Sequence, residues 1–493
     1  MTKNETDALA GPVVAIIGGG VSGAGVAYHL AKATAAKPPR IIVFEPRAEI
    51  GRGLAYDTED PAHRINVPAA RMSLLPDQPE DFLEWVVDKD RVADDPEALW
   101  PNGNLFPQRR LFGAYVVAKL RPLLESGAVE HRKTRVTKVS SSPEGWLITD
   151  DRNDETRADF LVIAATHPAP SAPRSLSAAL ADHPRFVADS TRRGSLDVIR
   201  PDDCVLIVGN GLTSADIVAS LTRGGHRGPI ISISRRGLRS RGHPPSRQDP
   251  FGDFLSDPSA SAAALLRKVR ETIRQAVEAG TSWHAVIDQV RSNGHEIWRN
   301  LPVAERCRIV RHLRPYWDVH RFRIAPQVEE VLDRAIAEGR LQVLAASVAD
   351  ATVNGDGIDV VLRKRNGQRV EKCFEAVVVT TGPAHGGILE SQRWLHELNA
   401  AGHLQLDPTG LGIACNEISE AIGTGGQPNP TLIISGPLAR GTFGELMGLP
   451  QVTEHAAFVA AQLAGKLNAA VSGTEIVQPE AAESAFCSSI KSL

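Results

Sequence analysis

Residues 13–17 are an unbroken run of apolar, mostly β-branched positions that runs into a glycine-rich turn. The spacing then becomes helical over residues 23–36, and a second apolar run follows at residues 40–45. A short run without polar alternation fits a strand buried on both faces. Strand, turn, helix and strand in that order predict a parallel sheet with a right-handed crossover. The same grammar returns far downstream, with a strand at residues 204–208, a turn at 209–211, a helix at 212–222 and a strand at 229–234. Two such units are therefore expected.

Between the units, residues 132–164 alternate short strands with turn signals, Ser142-Pro143-Glu144-Gly145 and Asp150-Asp151-Arg152-Asn153, which predicts an antiparallel meander. A second meander is predicted over residues 342–380. Proline-rich stretches at residues 167–173 and from Pro383 onward follow each meander, where the chain would pass from one domain to the other. Long helical patterns at residues 262–279, 303–313 and 325–338 interrupt the second unit. Residues 431–435 then return to a strand, followed by a glycine-rich turn and an alanine-rich helix at 454–467. The expected fold is α/β, with two Rossmann-like dinucleotide-binding domains, the second inserted into the first. Residues 1–170 and 385–472 would form the first, residues 171–384 the second with a helical insertion at about 259–339, and residues 473–493 a loose tail.

Composition narrows the partners. A chain of 493 residues suits two or three cores, and a net charge of −3 with 23% charged residues gives no overall field toward nucleic acid or membrane. Five cysteines, Cys204, Cys307, Cys373, Cys415 and Cys487, contain no C-x-x-C pair, which argues against a disulfide framework and a cysteine zinc site. Residues 1–12 lack the apolar core of a signal peptide, and no stretch supplies the roughly eighteen apolar residues of a membrane span. A soluble, cytoplasmic protein is expected, with a small-molecule substrate, no nucleic-acid or membrane partner, no metal, and room for a homo-oligomer.

The first turn reads Gly18-Gly19-Gly20-Val21-Ser22-Gly23, a G-x-G-x-x-G sequence at a strand end and a helix start. Gly18 would serve the tight turn, Gly20 the approach of a pyrophosphate, and Gly23 the close packing of helix on strand, while the helix N-terminus offers free N–H groups. Glu45, at the end of the next strand, stands where an acceptor for ribose hydroxyls belongs. The second turn, Gly209-Asn210-Gly211-Leu212-Thr213-Ser214, has a serine at the third glycine position. Its following strand ends in Ser234-Arg235-Arg236 rather than in an acid. Arg235 and Arg236 could hold the extra phosphate of NADPH, which an acid would repel.

The pair of nested dinucleotide units resembles the flavoprotein superfamily that includes disulfide reductases and flavin-dependent monooxygenases. Residues 51–56, 63–68 with Met72, 107–115 and 312–321 are similar to a family of bacterial FAD/NAD(P)-binding proteins. That resemblance implies FAD on the first unit, with Ser22 in the pyrophosphate turn, Arg52 and Gly53 near the phosphate and flavin end, the backbone of Val136 at adenine, and Gly436-Pro437 facing the flavin ring. Thr380-Thr381-Gly382 fits the superfamily's Ala-Thr-Gly crossing, whereas Ala164-Ala165-Thr166 supplies no glycine.

Residues 66–79 are similar to the stretch by which N- and S-oxygenating flavin monooxygenases reach the flavin through an asparagine, here Asn66, which would hold a flavin hydroperoxide or the nicotinamide ribose. Gly242-His243-Pro244-Pro245 only approximates the Baeyer–Villiger fingerprint. The leading expectation is an FAD-dependent, NADPH-consuming monooxygenase that uses molecular oxygen to N-hydroxylate a small, amino-acid-like nucleophile. Arg314, Trp317 and Arg321, on one face of a helix, would bind its carboxylate, or else pack the insertion onto the first domain with the arginines paired to acidic neighbours. A reductase or oxidase passing electrons to a carrier or to oxygen, and a non-catalytic flavin-binding sensor, remain the alternatives.

Overall fold

A computed structural model describes residues 11–382 and 385–472. The expected tail, Cys487, and Pro383 at the second crossing lie outside the described residues. Two parallel sheets organise the chain. In the first, β1 (Val13–Ile17) lies between β2 (Arg40–Phe44) and β7 (Phe160–Ile163). Beyond β2 comes β3 (Val129–Arg132), and beyond β7 come β16 (Pro428–Ile434) and the antiparallel edge strand β15 (Glu420–Ile422). Val14, Ala15 and Ile16 are completely buried, as a strand covered on both faces requires. Helix α1 (Val21–Ala33) covers one face together with α11 (Gln451–Ser472), which returns from the far end of the chain. The meander is a separate three-stranded sheet, β4 (Val136–Ser142), β5 (Gly145–Asp150) and β6 (Glu155–Ala158). It packs on the opposite face with α10 (Arg393–Ala400), whose Trp394 is 1% exposed.

The second sheet has seven strands among the described residues. Its parallel part is β8 (Phe186–Val187), β14 (Ala376–Val379), β9 (Val205–Val208), β10 (Ile230–Ser234) and the first half of β11 (Leu341–Asn354). The second half of β11 bends away past an irregularity between Val348 and Asp350. It pairs antiparallel with β12 (Gly357–Lys364), which in turn pairs with β13 (Arg369–Phe374). The second meander is thus an extension of the nucleotide sheet, whereas the first stands apart.

Helix α3 (Leu212–Arg223) links β9 to β10. The whole helical insertion lies in the crossover from β10 to β11: α4 (Ala262–Glu278), α5 (Trp283–Ser292), α6 (Gly294–Asn300), α7 (Val303–His312), α8 (Arg314–Arg321) and α9 (Pro326–Ala337). Helix α9 packs on α3 and closes the right-handed unit. The sequence pattern had shown α4, α7, α8 and α9 but not α5 and α6. Helix α5 buries three consecutive residues, Ala285, Val286 and Ile287, which blurs a helical period, and α6 has only seven residues.

The insertion is seated on the return segment of the first domain by buried polar contacts. Trp298 Nε1 donates to the Gly441 carbonyl at 2.7 Å, and Arg321 Nε donates to Glu445 Oε1 at 2.6 Å. Burial pushes the Glu445 carboxyl up, but Arg321, Arg440 and Arg291 outweigh it and hold the group below the usual glutamate range. Glu445→Gln leaves Arg321 buried without a counter-charge, a change that costs about 3–5 kcal/mol in comparable sites. A carboxylate with a depressed folded-state value contributes its stability above the unfolded value, near 4.3, and loses it as pH falls through the folded one. Thermal unfolding should therefore show a wild-type advantage over Glu445→Gln that is full at pH 7 and shrinks only below pH of about 4; equal melting temperatures at pH 7 would refute the role.

Candidate functional site

Both glycine turns sit at the carboxyl end of the central strand of their sheet, the end at which parallel α/β sheets bind ligands. At each turn the backbone of the neighbouring strand presses in. Gly18 (φ 103°) faces the carbonyl of Ala164 just past β7, and Gly209 (φ 129°) faces that of Thr380 just past β14; a Cβ on either glycine would collide with that carbonyl. The first crossing thus makes the same approach as the second through Ala164, without the glycine found at Gly382. Gly20 N-caps α1 and Gly211 N-caps α3, neither with a side-chain cap, which leaves first-turn N–H groups to a ligand.

Around the first turn the predicted residues converge. Glu45 is 3% exposed, and its Oε2 accepts from Gly19 N at 3.0 Å while Oε1 accepts from Arg47 N at 3.0 Å, so the carboxylate is locked beside the turn. Gly51 N donates to the Gly19 carbonyl at 2.7 Å, which lays the loop carrying Arg52 and Gly53 on the turn; Arg52 itself donates to Glu49 at 2.6 Å. Gly436 and Pro437 follow β16 in a 3-10 turn lying against Ser22. Gly436 N donates to Nδ1 of His455, a fully buried ring whose pKa burial lowers to about 3. That acceptor role assigns the proton to Nε2, which faces Ser419 Oγ at 3.0 Å. Beside this turn the Ser435 hydroxyl is buried with no protein partner. Val136 opens β4 and pairs with Asp150, with its side chain buried. The open helix start, the space that only glycine leaves at the turn and the orphaned Ser435 hydroxyl together fit a dinucleotide laid from Glu45 toward Gly436.

Around the second turn, Ser214 replaces the third glycine and is put to use. Its hydroxyl lies 3.0 Å from that of Ser232, which donates to Asn210 Oδ1 at 2.5 Å, while Asn210 Nδ2 donates to Ser234 Oγ at 3.1 Å. The chain of bonds fixes the turn to the end of β10. Arg235 just beyond is exposed; Arg236 is half-buried, 5.3 Å from the Tyr316 ring centre.

A seam between the two domains explains the residue runs singled out in the sequence. Arg109, opening α2 (Arg109–Glu125) in the first domain, grips Asp216 on α3 of the second at 2.7 and 3.0 Å. His63 Nε2 lies 3.2 Å from Ser220 Oγ. Asn66 is held from two sides: His243 Nε2 donates to its carbonyl at 3.0 Å, and Ala325 N donates to its Oδ1 at 3.3 Å. Burial and the nearby Arg323 lower the His243 pKa to about 4, so the ring stays a neutral donor at physiological pH. His243, from the sequence that only approximated a Baeyer–Villiger fingerprint, thus holds Asn66.

Residues 15–168 match a family model described as FAD-NAD(P)-binding. Over nearly its whole length the chain is also similar to solved structures. An ornithine N-hydroxylase of Kutzneria sp. 744 aligns with TM-score 0.63 at 15% identity, covering 94% of this chain and 100% of that one. The chain has a two-dinucleotide-domain flavoprotein fold. L-lysine 6-monooxygenase from Pseudomonas syringae aligns with TM-score 0.61 at 18% identity over 93% and 99% of the two chains. The reduced form of ornithine hydroxylase from Pseudomonas aeruginosa does so with TM-score 0.61 at 15% identity over 93% and 99%. No curated protein matches. Among the described residues no helix is long and apolar enough to cross a membrane, and no cluster of three or more acidic, histidine or cysteine residues could hold a metal.

The predicted substrate trio is engaged by the protein itself. Arg321 and Trp317 both donate to Glu445, and Arg314 donates to Asp318 at 3.3 Å. The sequence did not reveal Arg440, buried beside this group, because Asp318, the carboxylate it faces, comes from an element more than a hundred residues away. For the turns, Gly18→Ala is expected to yield protein that purifies without flavin absorbance. Gly209→Ala should keep that absorbance and lose reduction by NADPH, both with a lowered melting temperature because each Cβ meets a backbone carbonyl. A yellow Gly18→Ala protein would show that the first turn is not the flavin cradle.

Proposed function

We propose that the chain is an FAD-dependent, NADPH-consuming monooxygenase that inserts an oxygen atom from O2 at the nitrogen of a small nucleophile. The placement of Asn66 carries the reading. At the seam between the domains His243 Nε2 donates to its carbonyl and Ala325 N to its Oδ1, and an amide fixed there would serve as the donor between a reduced nicotinamide and the ring it reduces. The likeness to ornithine and lysine hydroxylases supports the same reading through the fold.

When bound, FAD supplies hydride acceptance and oxygen activation; the rest of the work falls to the chain. The uncapped starts of α1 and α3 hold the two pyrophosphates, and Glu45 the flavin-side ribose. Arg235, with Arg236 steadied over Tyr316, meets the phosphate that distinguishes NADPH. Asn66 orients the nicotinamide and shields the reacting atoms from water. The Arg109–Asp216 pair keeps the two nucleotides at a fixed separation.

Disulfide reduction is disfavoured by the thiols' positions. Cys204 precedes β9 and so lies at the opposite end of the strand from Gly209; Cys373 is on the outermost strand, β13. Cys415 is fully buried, its thiol pushed up to about 12 by desolvation, and among the described residues no disulfide forms. None of these fits a thiol pair facing a flavin.

Mixing the NADPH-reduced protein with oxygen tests the reading. Slow release of peroxide in the absence of substrate is expected, and Asn66→Ala should speed that release about tenfold, corresponding to roughly 1.4 kcal/mol of lost protection. Immediate reoxidation of wild type would favour a reductase or oxidase, and a flavin that NADPH does not bleach would favour a sensor. Separately, Arg235→Ala with Arg236→Ala is expected to raise KM for NADPH at least tenfold while leaving that for NADH within about twofold, since a phosphate contact of this kind contributes roughly 1.5–3 kcal/mol. Equal loss for both cofactors would remove the arginines from phosphate recognition.

A further inference from the structure

A cavity of about 480 Å³ lies between the helical insertion and the return segment, within the range of sites for small organic ligands. Its wall is apolar, built from Val269, Ile273, Val290, Ile297 and Leu301 of the insertion together with Leu411 of the first domain. A small hydrophilic amino acid gains nothing from such a wall, whereas an apolar body gains about 25 cal/mol for each Å² it buries there.

One end of the cavity is charged. Arg440 begins four residues past the turn at Gly436, and its side chain is 5% exposed. Its Nε donates to the Gly444 carbonyl at 3.2 Å. Its terminal nitrogens make no hydrogen bond to the described residues; the ion pair to Asp318 Oδ1 spans 3.8 Å, too long for one. Of the carboxylates nearby, Glu445 holds Arg321 and Trp317 and Asp318 Oδ2 accepts from Arg314, while Asp318 Oδ1 faces Arg440 without reaching hydrogen-bond distance. A guanidinium taken out of water with unmatched N–H groups calls for an anionic acceptor. Arg314 lines the same end, and Arg270 and His320 line the cavity with it.

We propose that this cavity binds an amphipathic carboxylate, its head on Arg440 with Arg314 beside it and its apolar body laid between α4, α5 and α6. The role of that ligand as oxygenation substrate rests on the monooxygenase reading; the binding site does not. The occupant is an apolar-bodied acid, in contrast to the short amino acids named for the ornithine and lysine enzymes of like fold.

Trp283, Trp298 and Trp317 line the cavity and report on it directly. Holoprotein titrated with decanoate, decan-1-ol or decylamine should show a saturable change in tryptophan emission with decanoate at concentrations at least tenfold below the other two. Arg440→Gln should abolish that preference while leaving decan-1-ol binding in place. Val269→Trp, which fills the cavity from a half-exposed position, should abolish binding of all three with melting temperature unchanged and covers the case in which the Arg440 variant does not fold. No binding, equal binding of the three probes, or a decanoate preference that survives Arg440→Gln would overturn the proposal. NADPH that fails to reduce the flavin would sink the oxygenation reading without moving these titrations, so the two failures are distinguishable.

Discussion

Each sheet depends on one short-range constraint: a glycine at the end of its central strand has the carbonyl of the next strand where a side chain would be. Gly18 against Ala164 and Gly209 against Thr380 are the same arrangement made twice. The approach fixes the strand order locally, because only a parallel neighbour ending at the same level can present that carbonyl. It also aims the following helix start at open space, so a dinucleotide turn is a by-product of how the two strands close. The serine network at Ser214, Ser232 and Asn210 stiffens the second copy, and the locked Glu45 carboxylate stiffens the first.

Between the two copies the chain uses charge and hydrogen bonds rather than a common apolar core. The first-domain core packs α1 and α11 together, and the second-domain core packs α3 and α9 together. The seam carries Arg109 with Asp216, His63 with Ser220, and Asn66 with His243 and Ala325. Such contacts need particular geometry to be worth their desolvation, so they define the relative placement of the domains more sharply than greasy contact would. Residues at this seam are therefore expected to set the distance between the two nucleotides.

Much of this was legible in the sequence. β1 was read to the residue, and β9, β10 and α3 to within one or two, because a fully buried strand leaves an unbroken apolar run and a glycine turn punctuates it. The flavoprotein fold followed from the repeat of that pattern. Three things were not legible. Helix α5 buries three consecutive residues, which blurs its period, and α6 has only seven residues. The run at residues 312–321 left a ligand clamp and an acid-paired packing helix both open, and Arg321 and Trp317 turn to Glu445, whose position more than a hundred residues later no spacing rule connects. Arg440 and His455 lay in the stretch read only as a strand, a turn and a helix, although both are buried polar groups whose partners come from other elements.

The helical insertion leaves from β10 and re-enters at β11, and those two strands are hydrogen-bonded neighbours. Apart from α9, which packs on α3 in the core of this domain, the sheet registers only the two attachment points of the chain spun out between them. Such an excursion behaves as a cassette on the nucleotide sheet, tied to the first domain by its own polar contacts and free elsewhere to set the shape of the cavity it covers.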